Sequence, residues 1–412
     1  MTGSRTRRRT AIGAGAVAAG SMVANVLGYV LFLVLNRELA PDDLGAVASL
    51  LGLVVILGVA ALSVQLVAAW RVATGRPDSG PSSLRTGAIV GAGVALLMAV
   101  LSPVVAGVLH LGGILPALLV AATTLPTCVT FAVQGVLQGA HRFLPLAVLY
   151  VAGSLARTAG GVLAAAAGWG VTGVMLLTTA GAWVVALAAL ALVRADVPEA
   201  LRHARPHQVR RVVVGMAGTS ALLVASTIDT LVARHVLSPT DSGTYAVLSL
   251  FTKAAFWGPA FLATVLYPGM SRARGHRPLL LALGGTGAVV AVGIALSTWL
   301  RAPLIRIAAG TAYEHAASLV PVFTTLGGAW ALVQVLVYWG AARGRHHVGY
   351  LVWAAVGVAT LLVVTTRHGS VDEVVWTFVA AAVVVAAAGA VLTSVGTPAT
   401  PAPSAVPRAA SQ

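Results

Sequence analysis

Apolar residues come in long blocks along the chain, separated by short polar or Gly/Pro breaks. The blocks predict helices near 11–36, 44–70, 85–109, 114–139, 143–167, 171–193, 212–236, 243–270, 278–300, 316–341, 347–366 and 374–395. Most approach the roughly 20 apolar residues that carry a helix across a bilayer. Barrel strands would instead show alternating segments of about ten residues. The first block follows Arg5, Arg7, Arg8 and Arg9. At about 25 residues it exceeds the ~7–15 of a cleaved leader's apolar core, so it reads as a retained span. The segment 396–412 is rich in Pro, Ala, Ser and Thr without apolar periodicity, and is predicted disordered.

Composition narrows the class. Only 9% of the 412 residues are charged, 58% are hydrophobic, and the mean hydropathy is +0.93. A soluble protein of this length could not cover its surface with so few charges. The fold class expected is all-α and polytopic, with about twelve transmembrane helices. The single cysteine, Cys128, excludes an intrachain disulfide and a cysteine-based metal cluster.

The net charge of +15 first suggests an anionic partner. The cations are scattered among apolar blocks, however, without the basic patch that nucleic acid requires. Topology accounts for them. With the N-terminus inside, inner segments hold nineteen of the 26 Lys and Arg residues. Outer segments hold five: Arg37, Arg234, Arg301, Arg306 and Arg367. This is the positive-inside pattern, and it supports twelve spans with both termini cytoplasmic. The remaining two cations, Arg157 and Lys253, fall inside predicted spans.

The chain divides into a basic N-terminus (1–10), a first six-helix lobe (11–193), a cytoplasmic linker (194–211), a second lobe (212–395) and the tail (396–412). The halves share a motif. Leu39-Ala40-Pro41-Asp42-Asp43-Leu44-Gly45-Ala46-Val47-Ala48 aligns with Leu237-Ser238-Pro239-Thr240-Asp241-Ser242-Gly243-Thr244-Tyr245-Ala246, each between the first and second helix of its half. In both, Pro ends one helix, Asp is expected to cap the next, and Gly permits close packing. Six helices separate the copies, so both halves run the same way through the membrane. This implies an axis along the membrane normal and a cavity between the halves.

An ionisable residue at mid-membrane costs about 2.5–3.5 kcal/mol, so each one carries information. Arg157 shares a helix face with Tyr150, Ser154 and Gly161. It lies too deep to reach the inner surface, and reads either as a cavity-lining cation or as a structural tether. Lys253, the only lysine, has Ser249 one turn before it and Trp257 one turn after. Asp229 lies in the preceding helix. It either pairs with Lys253, balances an anion-binding lysine, or exchanges a proton or sodium ion. Polar stripes add Asn25 and Tyr29 in the first helix, Gln65 in the second and Gln334 in the tenth. The fourth carries Thr123, Thr127, Thr130, Gln134 and Gln138. These are candidate cavity residues, against the alternative that they join helices.

No nucleotide-binding P-loop, HExxH or metal-ligand spacing occurs in the sequence. The expectation is a non-enzyme without a resident cofactor or metal, with possible coupling to Na+ or H+.

Residues Asp229–Arg234 leading into the second motif, then Lys253 and Val265-Leu266-Tyr267-Pro268, resemble a stretch of the polysaccharide flippases of the multidrug/oligosaccharidyl-lipid/polysaccharide superfamily. Ile305–Tyr313, outside the tenth helix, and Leu137–Phe143, on the inner side, are similar to two further family segments. The resemblance implies two lobes in a V around a central cavity in a bacterial plasma membrane. It implies transport of an isoprenoid-pyrophosphate-linked oligosaccharide, with a polysaccharide polymerase or glycosyltransferases as partners and the pyrophosphate meeting Arg157 and Lys253. A cation-coupled drug exporter of the same superfamily, a non-transporting scaffold for glycan assembly and, more distantly, a membrane glycosyltransferase are the rival readings.

Overall fold

A computed structural model describes residues 2–75, 79–194, 209, 212, 220–259, 276–341, 345 and 347–395. Most of the predicted linker, the tail and the Val265–Pro268 segment lie outside them. Among the described residues the chain is helical, without strands. Apolar runs in hydrocarbon must satisfy every backbone group internally, and a helix does so within one segment.

The helices are α1 (Thr2–Glu38), α2 (Pro41–Ala73), α3 (Ser79–Val108), α4 (Leu115–Gly139), α5 (Phe143–Ala166), α6 (Gly170–Leu192), α7 (Ile228–Val236), α8 (Pro239–Trp257), α9 (Arg277–Trp299), α10 (Arg301–Ala309), α11 (Val320–Ala341), α12 (His347–Thr365) and α13 (Val371–Val395). A 3-10 stretch, Thr311–Leu319, leads into α11. Ten helices among the described residues are long and apolar enough to cross a membrane. The seventh and eighth expected spans appear only as α7, α8 and a helical turn from Ser220, because residues 213–219 and 260–275 are outside the description.

Two features differ from the sequence reading. The basic N-terminal segment is helical backbone continuous with α1 rather than a separate stretch. The outer segment after the ninth span is also helical, as α10 and the 3-10 turn.

The repeat is visible in the packing. In the first half α2 and α3 pack on α4, and α6 packs on α4 and α5. In the second half α8 and α9 pack on α11, and α13 packs on α11 and α12. These are the same pairs in repeat order. The second and fourth helices of each half meet through glycine. A Cβ on Gly139 of α4 would sit 2.5 Å from the Ala69 carbonyl of α2, and one on Gly327 of α11 would strike the Thr252 carbonyl of α8. Backbones approach this closely only where the residue is small.

The shared motif starts α2 and α8. Ala40 and Ser238 are extended (ψ 152° and 157°), and Pro41 and Pro239 open the helices. Proline suits that position because its missing N–H has no intrahelical acceptor there. The N-cap of α8 is Ser238, not the expected Asp241: its hydroxyl oxygen accepts the Asp241 N–H at 3.2 Å. Ala40 has no oxygen for this task. Its helix relies on Pro41 and on Asp42 and Asp43, whose charge favours a helix N-terminus.

The halves meet where α2 packs on α7 and α8. The motif glycines make this possible. A Cβ on Gly45 would lie 2.6 Å from Ser242 Oγ, and one on Gly243 would strike the Pro41 carbonyl.

Candidate functional site

A cavity of about 380 Å³ opens within the first half. Among the described residues, its walls include Ala24 and Asn25 of α1, residues between Val54 and Leu62 of α2, between Thr123 and Gln134 of α4 and between Leu149 and Arg157 of α5, and Thr178, Ala182 and Val185 of α6, with Leu223 contributed from the second half. The volume falls in the range of small-ligand sites and has room for about a dozen waters. It fits a head group, not a whole lipid-linked oligosaccharide.

The cavity's charge is one-sided. Arg157 lines it, no carboxylate does, and Arg157 has no hydrogen-bond or ion-pair partner among the described residues. The remaining polar groups are neutral. Thr127 and Thr130 donate back to the Thr123 and Pro126 carbonyls, at 2.7 and 2.9 Å. Ser154 donates to the Ala24 carbonyl at 2.6 Å and Thr158 to the Leu27 carbonyl at 2.9 Å, which clamps α1 to α5 beside the guanidinium. Gln134 Oε1 and Thr178 Oγ1 are buried without partners. A buried unpaired polar atom costs about 1–3 kcal/mol. Such a cost is tolerated where a ligand or water completes the set.

Beside the cavity, Gln65 Nε2 donates to Tyr150 Oη at 2.9 Å and to Gln138 Oε1 at 3.1 Å. The Tyr150 hydroxyl accepts from Gln65, so its own proton is free for a cavity acceptor. Of the residues expected from sequence, Arg157, Asn25, Gln134, Tyr150 and Ser154 therefore converge on one space. Gln65 and Gln138 support its edge without lining it.

Lys253, Asp229, Ser249, Tyr29 and Gln334 do not line this cavity. Tyr29 donates to the Lys253 carbonyl at 3.2 Å, and Lys253 Nζ lies 4.7 Å over the Phe32 ring, a favourable place for a cation. Helix α1 thus lies between the two intramembrane cations: Asn25 faces the Arg157 cavity, and Tyr29 and Phe32 meet Lys253. Lys253 donates to Ser249 Oγ at 3.2 Å. Asp229 accepts the Tyr245 hydroxyl at 3.2 Å, while its Oδ1 is buried without a partner. Of the alternatives for Asp229, an ion pair with Lys253 is not formed within 4.0 Å; each side chain has a hydrogen-bond partner on α8 instead. Gln334 is buried in α11, with Nε2 3.5 Å from Tyr338 Oη and Oε1 unpaired.

The sequence reading missed Arg234, which it had counted only as an outer-loop cation. Arg234 is 4% exposed, at the end of α7. Its Nη1 meets Asp42 Oδ1 at 2.6 Å and Ser242 Oγ at 3.0 Å. Its Nε donates to the Leu109 carbonyl at 2.9 Å and its Nη2 to that of His110 at 3.3 Å. A signal was present in the sequence, since Arg234 adjoins the second motif and Asp42 belongs to the first.

The profile of a family described as "Polysaccharide biosynthesis protein" matches residues 11–274, more than half of the chain. The chain belongs to this family. Among solved structures, this family member is similar to an inward-facing multidrug resistance MATE family transporter of the MOP superfamily. The TM-score is 0.75 at 15% identity, over 91% of this chain and 94% of that one. It is also similar to the lipid II flippase MurJ in an inward closed conformation, with a TM-score of 0.73 at 12% identity over 92% and 87%. Against an outward-facing MATE family transporter the score is 0.62 at 14% identity, over 93% and 94%. No curated protein matches the sequence. The polysaccharide biosynthesis family member is thus a multi-pass, all-α membrane protein with the MOP fold.

Proposed function

We propose that the protein is a flippase that carries an isoprenoid-pyrophosphate-linked oligosaccharide across a bacterial plasma membrane by alternating access, with both termini cytoplasmic. The observation that supports this reading best is Arg157, a guanidinium without a partner, in a cavity without a carboxylate, among the described residues. A guanidinium in a medium of low dielectric attracts a pyrophosphate strongly and can hold it in a two-point grip. The Tyr150 hydroxyl adds a donor, and the hydroxyl and amide groups around it suit a sugar. Lys253, reached along α1 by way of Tyr29 and Phe32, is the second cation on the path between the halves.

The family description and the likeness to a lipid II flippase agree with this reading. A drug exporter for cations fits less well, because its cavity would need a negative charge. Coupling to Na+ or H+ would use Asp229, whose free Oδ1 is an acceptor for either. A polymerase or glycosyltransferase partner would take the glycan after transfer.

Export of a lipid-linked glycan in vesicles tests the reading. Arg157→Ala is expected to abolish export with the protein still in the membrane, and Lys253→Ala to reduce it. Full export by both variants would overturn the reading and favour a scaffold. Drug resistance that depends on Asp229, without a glycan phenotype, would favour the exporter.

A further inference from the structure

At the end of the molecule that carries α7 and the shared motifs, the two halves hold each other by hydrogen bonds that repeat with the sequence. In the first half Asn36 Nδ2 donates to the Ala308 carbonyl at 3.2 Å, and Arg37 Nη2 to that of Ile307 at 2.8 Å. In the second half Arg234 binds the Leu109 and His110 carbonyls, and His235 Nδ1 lies 2.9 Å from that of Val108. Asn36 and Arg234 are 198 residues apart, as are Arg37 and His235, Leu109 and Ile307, and His110 and Ala308. The last turn of each half's first helix therefore caps the carbonyl end of the other half's third helix or of its continuation, α10. Helix ends leave carbonyls unpaired and carry partial negative charge, so cationic and amide donors are the groups that suit them.

We propose that this reciprocal seam is the clasp that keeps the halves closed at one end during transport, and that Arg234 is its positioning residue. The two arms are unequal. Asn36 offers a neutral amide at one carbonyl. Arg234 spans the Leu109 and His110 carbonyls just past α3, Asp42 of α2 and its own half's Ser242, so it ties the ends of α2 and α3 at once. Below it, Gly45 lies against Ser242, Ser49 Oγ is 3.4 Å from the Thr230 carbonyl, and Gly52 meets Leu231. Parting of the halves at this end must break the Arg234 set, and Ser49, fully buried in the closed form, then meets water. The proposal rests on the reading of the protein as a transporter whose halves part, and does not depend on the identity of the cargo.

The test uses full-length protein in oriented proteoliposomes without substrate. Cys128→Ala removes the native thiol and Ser49→Cys places a reporter in the seam. A membrane-impermeant maleimide is added at the face opposite the N-terminus. Adding Arg234→Ala is expected to raise the labelling rate at that face by about tenfold, as loss of a charged hydrogen-bond set predicts. Arg234→Lys should restore part of the protection, Asp42→Ala should give a smaller rise, and Asn36→Ala the smallest. An unchanged rate with both Arg234→Ala and Asp42→Ala in monodisperse protein would overturn the proposal. So would an equal rise at both faces, which marks general loosening. Neither result would touch the cargo reading, since no cargo is present.

Discussion

Arg157 and Arg234 sit in opposite surroundings in this protein. Arg234, at the seam, has five N–H donors and makes four hydrogen bonds with them, to Asp42, Ser242 and two helix-end carbonyls. Arg157, in the first-half cavity, has none of its donors engaged among the described residues. Burying a guanidinium costs several kcal/mol unless its donors are met. On the proposed reading, Arg234 meets that cost internally and holds the halves, whereas Arg157, without a partner among the described residues, awaits a group from outside. Burial alone does not distinguish a binding charge from a structural one; the list of partners does.

The largest expected effect is at Arg157. Arg157→Ala should weaken binding of a polyprenyl diphosphate by about 100-fold, as loss of one partner of a desolvated charge pair does, with little change in thermal stability. Arg157→Lys should recover part of it, because a point charge replaces a two-pronged donor. If Arg157→Ala instead lowers the melting temperature sharply and leaves binding unchanged, the contrast collapses and Arg157 is a tether.

Arg234→Ala should show the reverse pattern. It leaves the Leu109 and His110 carbonyls without their donor, at a cost of about 2–3 kcal/mol, and should lower the melting temperature in detergent by several degrees. Affinity for a diphosphate at the cavity should change little. Asp42→Ala removes one partner whose side chain is 57% exposed, and is expected to cost about 0.5 kcal/mol.

Gly243→Ala sharpens the picture of the seam from the backbone side. Its Cβ would strike the Pro41 carbonyl, so α8 must move from α2 at a cost of about 1–3 kcal/mol. Gly15→Ala, with open space at its Cβ, should be neutral in the same melting assay. The smallest effect is expected at Arg306, which pairs with Glu314 at 2.7 Å on the surface. The carboxylate beside it raises its pKa, which leaves an already permanent charge unaltered. Arg306→Ala should leave both melting temperature and binding unchanged.

Much of the fold was legible from sequence because hydrocarbon imposes a single local rule. Apolar blocks of sufficient length had to be helices, and the ten spans among the described residues follow the predicted blocks closely. The repeat was legible because Pro41/Pro239 and Gly45/Gly243 answer the same geometric demand twice, at a helix start and at a close crossing. The cap at Ser238 was not legible, since Asp241 is an equally good acceptor by composition and only backbone geometry decides. The convergence of Asn25, Gln134, Tyr150, Ser154 and Arg157 was partly legible as helix faces, but which faces meet depends on packing between helices. The same limit hid the role of Arg234, whose partners at Asp42, Leu109 and His110 are far from it in sequence. It also made an Asp229–Lys253 pair look natural, when Tyr245 and Ser249 were the partners closer to hand.

The most direct measurement is the affinity of purified protein in detergent for a polyprenyl diphosphate, compared between the parent and Arg157→Ala at matched stability. Binding by the parent is expected to weaken about 100-fold in the variant, while Arg234→Ala binds like the parent. Equal affinity of the parent and Arg157→Ala would overturn the role proposed for Arg157.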